Sequence, residues 1–544
     1  MLAGRFFVFA VIVGLSVLPA LAVEGPARQQ ADNAAASTAP AATEPAPAAA
    51  GFAHELTERL AAPGNLAPAD REDRAALAKF YADRQQEPVW TSAAGLTPAA
   101  AAAIAEIRRA GDWGLDAAAF QLPASSGSEP SRAGRADAEI ALSLAVLKYA
   151  RHARGGRAEP TSLSRNLDRK LPLLDAGHVI EQVSKAAEPD AYLRSLHPQH
   201  PQFEALRQKY LALTRGRTIA PSDPSLSTEG NKGGKKTAAV ASETSQARRV
   251  LVNMEQWRWM PESLGDFFVW VNIPEYTLRV VKGSKLVHTE RVIVGKRDTQ
   301  TPVFSQDMEQ VIFHPFWGIP ESIKRNDVLP SLVRGSSRLF DHYNLRIQRG
   351  GRDIDPASID WASADIRQFH VYQPPGPNSV LGVMKFRFPN RHDVYMHDTP
   401  TKNLFNAEVR MFSHGCVRVR EPQRLAELVL AEDQGWPASR VAAAINGGPQ
   451  NNQIGLARKV PVHMTYFTAM VDKSGELRLF PDIYGHEQRI ALGMEGKAHL
   501  VARMVKEEKP PTRADAVGSL AETATGGAPG KKDWARRALD FGGN

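Results

Sequence analysis

A chain of 544 residues with a single cysteine cannot close a disulfide on itself, so whatever it folds into must be held by its buried core. That thiol, Cys416, lies in Arg410-Met411-Phe412-Ser413-His414-Gly415-Cys416-Val417-Arg418-Val419, shortly after Tyr395-Met396-His397-Asp398-Thr399-Pro400. One histidine stands two positions upstream of it and another nineteen. A lone cysteine is ordinarily a small buried hydrophobe. Here its neighbours are polar, and the preceding glycine permits a tight turn whose N–H groups can point at one developing oxyanion. A structural cysteine needs none of this. A free thiol has a pKa near ~8.5 and is roughly 3% ionised at pH 7. An imidazole that brought it to about 7 would ionise half of it, for roughly 2 kcal/mol.

The start of the chain predicts export. Residues 1–22 carry Arg5, an apolar run over 6–18 and Ala20-Leu21-Ala22, the pattern of a secretory signal peptide. An uncleaved membrane anchor is the alternative. Residues 23–50 are rich in Ala, Pro, Glu, Gln and Thr and predict a flexible tether. In an oxidising compartment a chain with one thiol keeps it for something other than a disulfide.

The expected architecture is α+β and multi-domain. Residues 51–214 read as a helical scaffold, with helical spacing around 75–81, 99–110, 140–155, 176–186 and 199–213. His197 and His200 flank a proline in an expected loop and do not read as metal ligands. Residues 215–247 are rich in Ser, Thr, Gly, Lys and Ala and predict a flexible basic linker. From Val250 the pattern turns to β, with strands expected at 267–273, 277–281, 286–294, 311–313, 382–388, 394–397, 462–471 and 476–480. The catalytic part is therefore placed at 248–490, mainly antiparallel, with a long irregular insertion at about 319–376. A helix is expected at 424–431 and a disordered tail at 506–544. The formal charge of +8 is small for this length, and no basic stripe with interleaved aromatics suggests nucleic acid.

Ser413-His414-Gly415-Cys416-Val417-Arg418 with His397-Asp398-Thr399-Pro400 resembles the signature of the YkuD-type L,D-transpeptidases of bacterial cell walls. It is similar, within them, to the large multi-domain Gram-negative subfamily. Further co-linear matches are Val294-Gly295, Thr301-Pro302-Val303-Phe304, Phe316-Trp317-Gly318-Ile319-Pro320, Gln373-Pro374-Pro375-Gly376-Pro377-Asn378, Lys385-Phe386-Arg387-Phe388-Pro389-Asn390 and Asp482-Ile483-Tyr484-Gly485-His486. The likeness covers about 247–490 well and 51–215 more weakly. The chain departs from larger subfamily members in showing no small helical wall-binding module between Thr214 and Arg248.

The resemblance implies a helical scaffold beside a β-rich catalytic domain, with a lid at the insertion. It also implies acyl transfer: Cys416 attacks the L-centre carbonyl of a tetrapeptide stem, D-alanine leaves, and an amine resolves the thioester into a 3→3 cross-link. A protein lysine as acceptor would attach an outer-membrane or other envelope protein to the wall, and water would make a carboxypeptidase or endopeptidase. A non-enzymatic wall-binding protein is the reading from another class. His397 is the expected base, with the Asp398 side chain or carbonyl orienting its ring through the other nitrogen. His414 is either a second base or a turn residue whose N–H joins those of Gly415 and Cys416 in an oxyanion hole. Arg418 is placed to hold a substrate carboxylate, against a structural salt bridge. Asp398, Ser413, Tyr395 and Arg410 complete the expected substrate-binding set, with Phe405 and Trp317 as further pocket-wall candidates. The partner is peptidoglycan, the location periplasmic, and no metal or other cofactor is expected. A papain-like protease is disfavoured because its Cys precedes its His.

Overall fold

The computed structural model describes residues 47–62, 66–123, 131–215 and 235–507, and the fold is that of the compact unit beginning at Gly51. The expected signal peptide, nearly all of the tether, linker residues 216–234 and tail residues 508–544 lie outside the described residues.

Apolar residues at helical spacing build the first layer. Helices Pro47–Ala61, Pro68–Asp83, Pro98–Arg108, Arg132–Gly155 and Ala176–Lys185 enclose Leu77, Tyr81, Trp90, Ile104, Leu142 and Val146. Their starts are written in the chain: Thr97, Ser131 and Asp175 each accept from a backbone N–H of the first turn. Asp73, Glu106 and Glu139 are buried there. Glu139 is satisfied by the Tyr81 hydroxyl at 2.7 Å, the Trp90 N–H and the Thr91 hydroxyl.

The second layer is a β structure of nine strands: β1 (Phe267–Asn272), β2 (Thr277–Lys282), β3 (Lys285–Gly295), β4 (Phe304–Phe313), β5 (Met384–Arg387), β6 (Met396–His397), β7 (Met411–Ser413), β8 (Val417–Val419) and β9 (Asn452–Thr465). Their hydrogen-bonded order is β7-β3-β8-β6-β5-β4-β9-β1-β2, and β2 pairs back onto β3, so the sheet closes on itself. Most neighbours are antiparallel, as expected. β6–β8, β7–β3 and β9–β1 are parallel.

Three expectations need correction. Residues 235–247 of the expected linker, and the expected β onset at Val250, are one helix, Lys235–Arg258. Its small polar residues look like a linker, but Ala247, Val250, Leu251, Met254 and Trp257 recur at helical spacing and are buried against the β core. Helix Pro201–Thr214 contributes Phe203, Leu206 and Tyr210 to that same core, not to the helical one.

The insertion is no irregular loop. It has helical turns over 321–333, and strands Trp317–Gly318, Arg346–Arg349, Arg352–Ile354 and His370–Gln373 form a four-stranded sheet over a core of Ile319, Val328, Phe340, Ile347, Trp361 and Val371. Strands of two to four residues carry too little alternation to be read. Finally, His197 and His200 are packing groups. His197 stacks on Trp113 with ring centroids 4.2 Å apart and meets the Tyr149 hydroxyl at 2.9 Å, while His200 stacks on Trp257 at 4.3 Å. No helix among the described residues is long and apolar enough to cross a membrane.

Burial makes several histidines acid-sensitive. It holds His197 well below its ordinary value, His463 down at about 4 and His486, with Arg489 beside it, at about 3. These rings protonate near pH 6.5 when unfolded and not until far lower pH when folded, so the unfolded state binds more protons and stability falls as pH drops from about 6.5. The melting temperature is expected to be level above pH 7.5 and to fall steadily to pH 5. His486→Phe should remove about 1–2 kcal/mol of that fall. A pH-independent melt over this window would contradict the assignment.

Candidate active site

The site forms where β5, β6 and β8 run side by side. In the register, His397 of β6 lies opposite Lys385 of β5 on one side and Arg418 of β8 on the other. Side chains alternate along a strand, so Tyr395 and Cys416, two residues before His397 and Arg418, fall on the same face. Five residues thus converge: Lys385, Tyr395, His397, Cys416 and Arg418.

The turn that presents Cys416 is tightly held. Ser413 is buried; its hydroxyl donates to the Cys416 carbonyl at 2.5 Å and accepts from the Gly415 N–H at 3.1 Å. Gly415 has a φ of +115°, where a side chain would be strained. The Thr301 hydroxyl donates to the Gly415 carbonyl at 2.8 Å and accepts from the Gly295 N–H at 2.9 Å. Thr299 and Lys296 both donate to the Ser413 carbonyl. Behind them, the Tyr484 hydroxyl donates to the Gly295 carbonyl at 2.6 Å.

His397 is 5% exposed, and its Nδ1 faces the backbone carbonyl of Asp398 at 2.5 Å. A carbonyl only accepts, so Nδ1 carries the proton and the neutral ring offers Nε2 as a base. Burial, reinforced by the nearby Arg418, Lys385 and Lys402 cations, holds the imidazole at about 3, so it is neutral at physiological pH. Cys416 is half-buried. Burial pushes its thiol up, while Tyr395, through its N–H and hydroxyl, and the Lys385 and Arg418 cations pull it down. The resting pair is therefore a thiol and a neutral imidazole.

Several expected site residues prove to be occupied elsewhere. Of the two expected ways for Asp398 to orient the histidine, the carbonyl is the one used. The Asp398 carboxylate accepts from the Val383 N–H at 2.9 Å and pairs with Lys402 at 2.5 Å. Ser413 is committed to the turn. Gly415 donates its N–H to Ser413, whereas the Cys416 N–H has no partner among the described residues. Arg410 clamps three carbonyls, those of Val292, Ala407 and Tyr276, at 3.0–3.1 Å. Phe405 is core.

His414 is exposed on the turn. Tyr395 sits against the sulfur, and its hydroxyl also meets the Trp317 side chain from the insertion. Arg418 makes no ion pair among the described residues; its one hydrogen bond is to the Thr401 hydroxyl at 3.4 Å. Among the described residues no cluster of three or more His, Cys, Asp or Glu is placed to hold a metal.

Two contributions were not read from the sequence. Lys385 joins the site only through strand pairing; the alternation of Lys385 and Arg387 with buried Met384, Phe386 and Phe388 was the available signal. The helical layer also reaches the site. Asn166 donates to the Gln300 side chain at 2.9 Å, and the Asp168 carboxylate meets Arg391 at 2.7 Å and His392 at 2.8 Å.

Thr301→Val keeps the shape of this residue and removes its hydroxyl from both Gly295 and Gly415. It should cost about 1–3 kcal/mol of stability and slow Cys416 alkylation. Thr301→Ser should restore both. A destabilised Thr301→Val enzyme with an unchanged alkylation rate would show that this bond does not hold the turn.

Comparison with known proteins places this geometry. Residues 75–209 match the family model of a scaffold domain, and residues 266–444, which contain Lys385, Tyr395, His397, Cys416 and Arg418, match that of the L,D-transpeptidase catalytic domain, YkuD. A Haemophilus influenzae protein named "Putative L,D-transpeptidase" is 32% identical over 254 residues, 46% of this chain and 51% of that protein, so the chain spans about half the length of this relative. Among solved structures, an L,D-transpeptidase from Mycobacterium smegmatis aligns at 12% identity and a TM-score of 0.18, over 37% of this chain and 58% of that one. The Ldtfm-avibactam carbamoyl enzyme aligns at 12% and 0.16, over 48% and 80%. Those two alignments are too loose to bear on the fold. On the family models, the chain carries a YkuD-type L,D-transpeptidase catalytic domain behind a scaffold domain.

Proposed function

We propose that the protein is a periplasmic cysteine L,D-transpeptidase that cross-links peptidoglycan stems. The observation that carries this reading is the tautomer of His397: with its Nδ1 proton committed to the Asp398 carbonyl, Nε2 is free to take the proton of Cys416. The thiolate adds to the carbonyl of the L-centre of a tetrapeptide stem. The oxyanion is met by the Cys416 N–H. Collapse expels D-alanine as the amine, which takes the proton from His397, and leaves a thioester. The side-chain amine of a second stem then adds to the thioester carbonyl, gives its proton to His397, and displaces the thiolate to form a 3→3 cross-link.

Arg418, a guanidinium on the same face with no ion pair among the described residues, suits a substrate carboxylate. The signal-like residues 1–22 support export to the periplasm. Envelope proteins offering a lysine are a second class of acceptor, because the first half of the reaction uses the same residues whichever nucleophile follows.

The test is mass spectrometry of products after the full chain meets purified tetrapeptide muropeptides. Cross-linked dimers that vanish in Cys416→Ala are the expected result. Free D-alanine without dimers would replace cross-linking by hydrolysis, or by transfer to an acceptor such as a protein lysine that the mixture lacks. Turnover that survives Cys416→Ala would sink the mechanism. His397→Ala should slow thiol alkylation at neutral pH at least tenfold; an unchanged pH profile would remove it as the base.

A further inference from the structure

A half-buried ammonium is ordinarily paired with a carboxylate, because an unpaired one costs free energy. Lys385 makes no ion pair among the described residues, and its Nζ lies 3.8 Å from the centroid of the Tyr395 ring. That ring belongs to the residue whose hydroxyl meets the Cys416 sulfur. By strand register Lys385 lies opposite His397. Lys385 also lines a pocket with Phe316, His370, Arg387 and Asn451.

We propose that Lys385 is a positioning residue for the nucleophile, its cation held over the Tyr395 ring as fixed countercharge to the Cys416 thiolate. The inference rests on the reading of Cys416 as the nucleophile. It assigns Lys385 no proton transfer: the thiol proton goes to His397 Nε2, and the ammonium keeps its three protons while the negative charge on sulfur forms and is consumed. The role answers a difficulty in the site. His397 is neutral at rest, so it offers the forming thiolate no standing charge, and burial alone disfavours ionisation of the thiol. Lys385 and Arg418 are the cations in range of the sulfur. Burial pulls Lys385 itself below the ordinary amine range, and Cys416 is the first group that opposes the pull.

The charged and titratable groups around the pair come from every neighbouring element. His397 lies on β6, Tyr395 and Asp393 just before it, Arg418 on β8 and His414 before it, Arg387 on β5, His370 on the insertion, and Lys296 after β3. Asp393, an acid that acts on Lys385 only weakly, is exposed and makes no ion pair with it.

The experiment measures the rate of Cys416 alkylation by iodoacetamide against pH in the full chain, which needs no substrate. In Lys385→Met the midpoint should rise by about one pH unit, which makes alkylation about tenfold slower at pH 7 and leaves the plateau at high pH unchanged. Lys385→Arg should restore the midpoint, because it restores the charge. With muropeptide substrate, Lys385→Met should lower kcat more than it raises KM. Lys385→Gln, which keeps a polar group of similar reach, serves if Lys385→Met does not fold. A midpoint that stays in place in any folded, uncharged variant overturns the proposal, as does an Arg variant that behaves like Met. Failure of the underlying reading looks different: turnover would then persist in Cys416→Ala, whatever Lys385 does.

Discussion

Two very short strands, β6 and β8, pair in parallel, and the chemistry of this molecule depends on that pairing. It sets His397 opposite Arg418 and brings Tyr395 against Cys416, with the Val417 N–H on the Tyr395 carbonyl at 3.0 Å. Strands of two and three residues cannot hold their own register. Their neighbours do: β5 fixes β6 through Lys385 and Phe386, β3 fixes β8 through Ile293 and Val292, and each of those is a longer or better-paired strand. A slip of one residue would turn His397 into the core and bring Met396 to the surface. Met396 and Val417, fully buried beneath the pair, make that slip costly.

The support extends outward in shells that the sequence does not keep together. The turn at Gly415 leans on Thr301, Thr301 and Gly295 lean on Tyr484, and the segment holding Thr301 leans on the helical layer through Asn166 and Asp168. Arg169 completes the grip: it is buried and donates to the Met464 carbonyl at 2.5 Å and to the Ser305 hydroxyl. An arginine buried in this way is satisfied by neutral acceptors alone, which costs stability unless the geometry is rigid. The helical layer is thus built into the wall behind the nucleophile, and a change at Asp168 would act on the His392 side of the site without touching the reacting atoms.

Legibility followed the range of the interactions. Cys416, His397 and Gly415 stand out in the sequence because the pattern they form is written in nearby residues. The side chains of Arg410, Asp398 and Ser413, read as substrate-binding, have partners within the fold that the sequence did not show: a polar side chain looks available until its partner is known. For Arg410 the partners are carbonyls of Val292 and Tyr276, more than a hundred residues away in the chain. For Asp398 they are Lys402 and the Val383 N–H, close in sequence but brought together only by β5–β6 pairing. The helix Lys235–Arg258 was hidden by composition, since its first half is Lys, Thr, Ala and Ser and its apolar spacing begins only at Ala247. The strands of the insertion were hidden by length.

Burial acts on both members of the Cys416–His397 pair in the same sense, toward neutrality, because it disfavours an isolated thiolate and an isolated imidazolium alike. Transfer of the proton between them changes that account, since it creates two opposite charges at once. A standing ion pair would need its mutual attraction to offset the desolvation of both charges at all times. A neutral pair, flanked by cations that make no ion pair among the described residues, needs that stabilisation only while the sulfur is attacking. On this view the cations at Arg418 and Lys385 and the hydroxyl of Tyr395 are matched to the charge that develops on sulfur, and the resting site keeps a protonated, unreactive thiol. A thiol held neutral until substrate arrives is also one held back from oxidation, which proceeds through the thiolate.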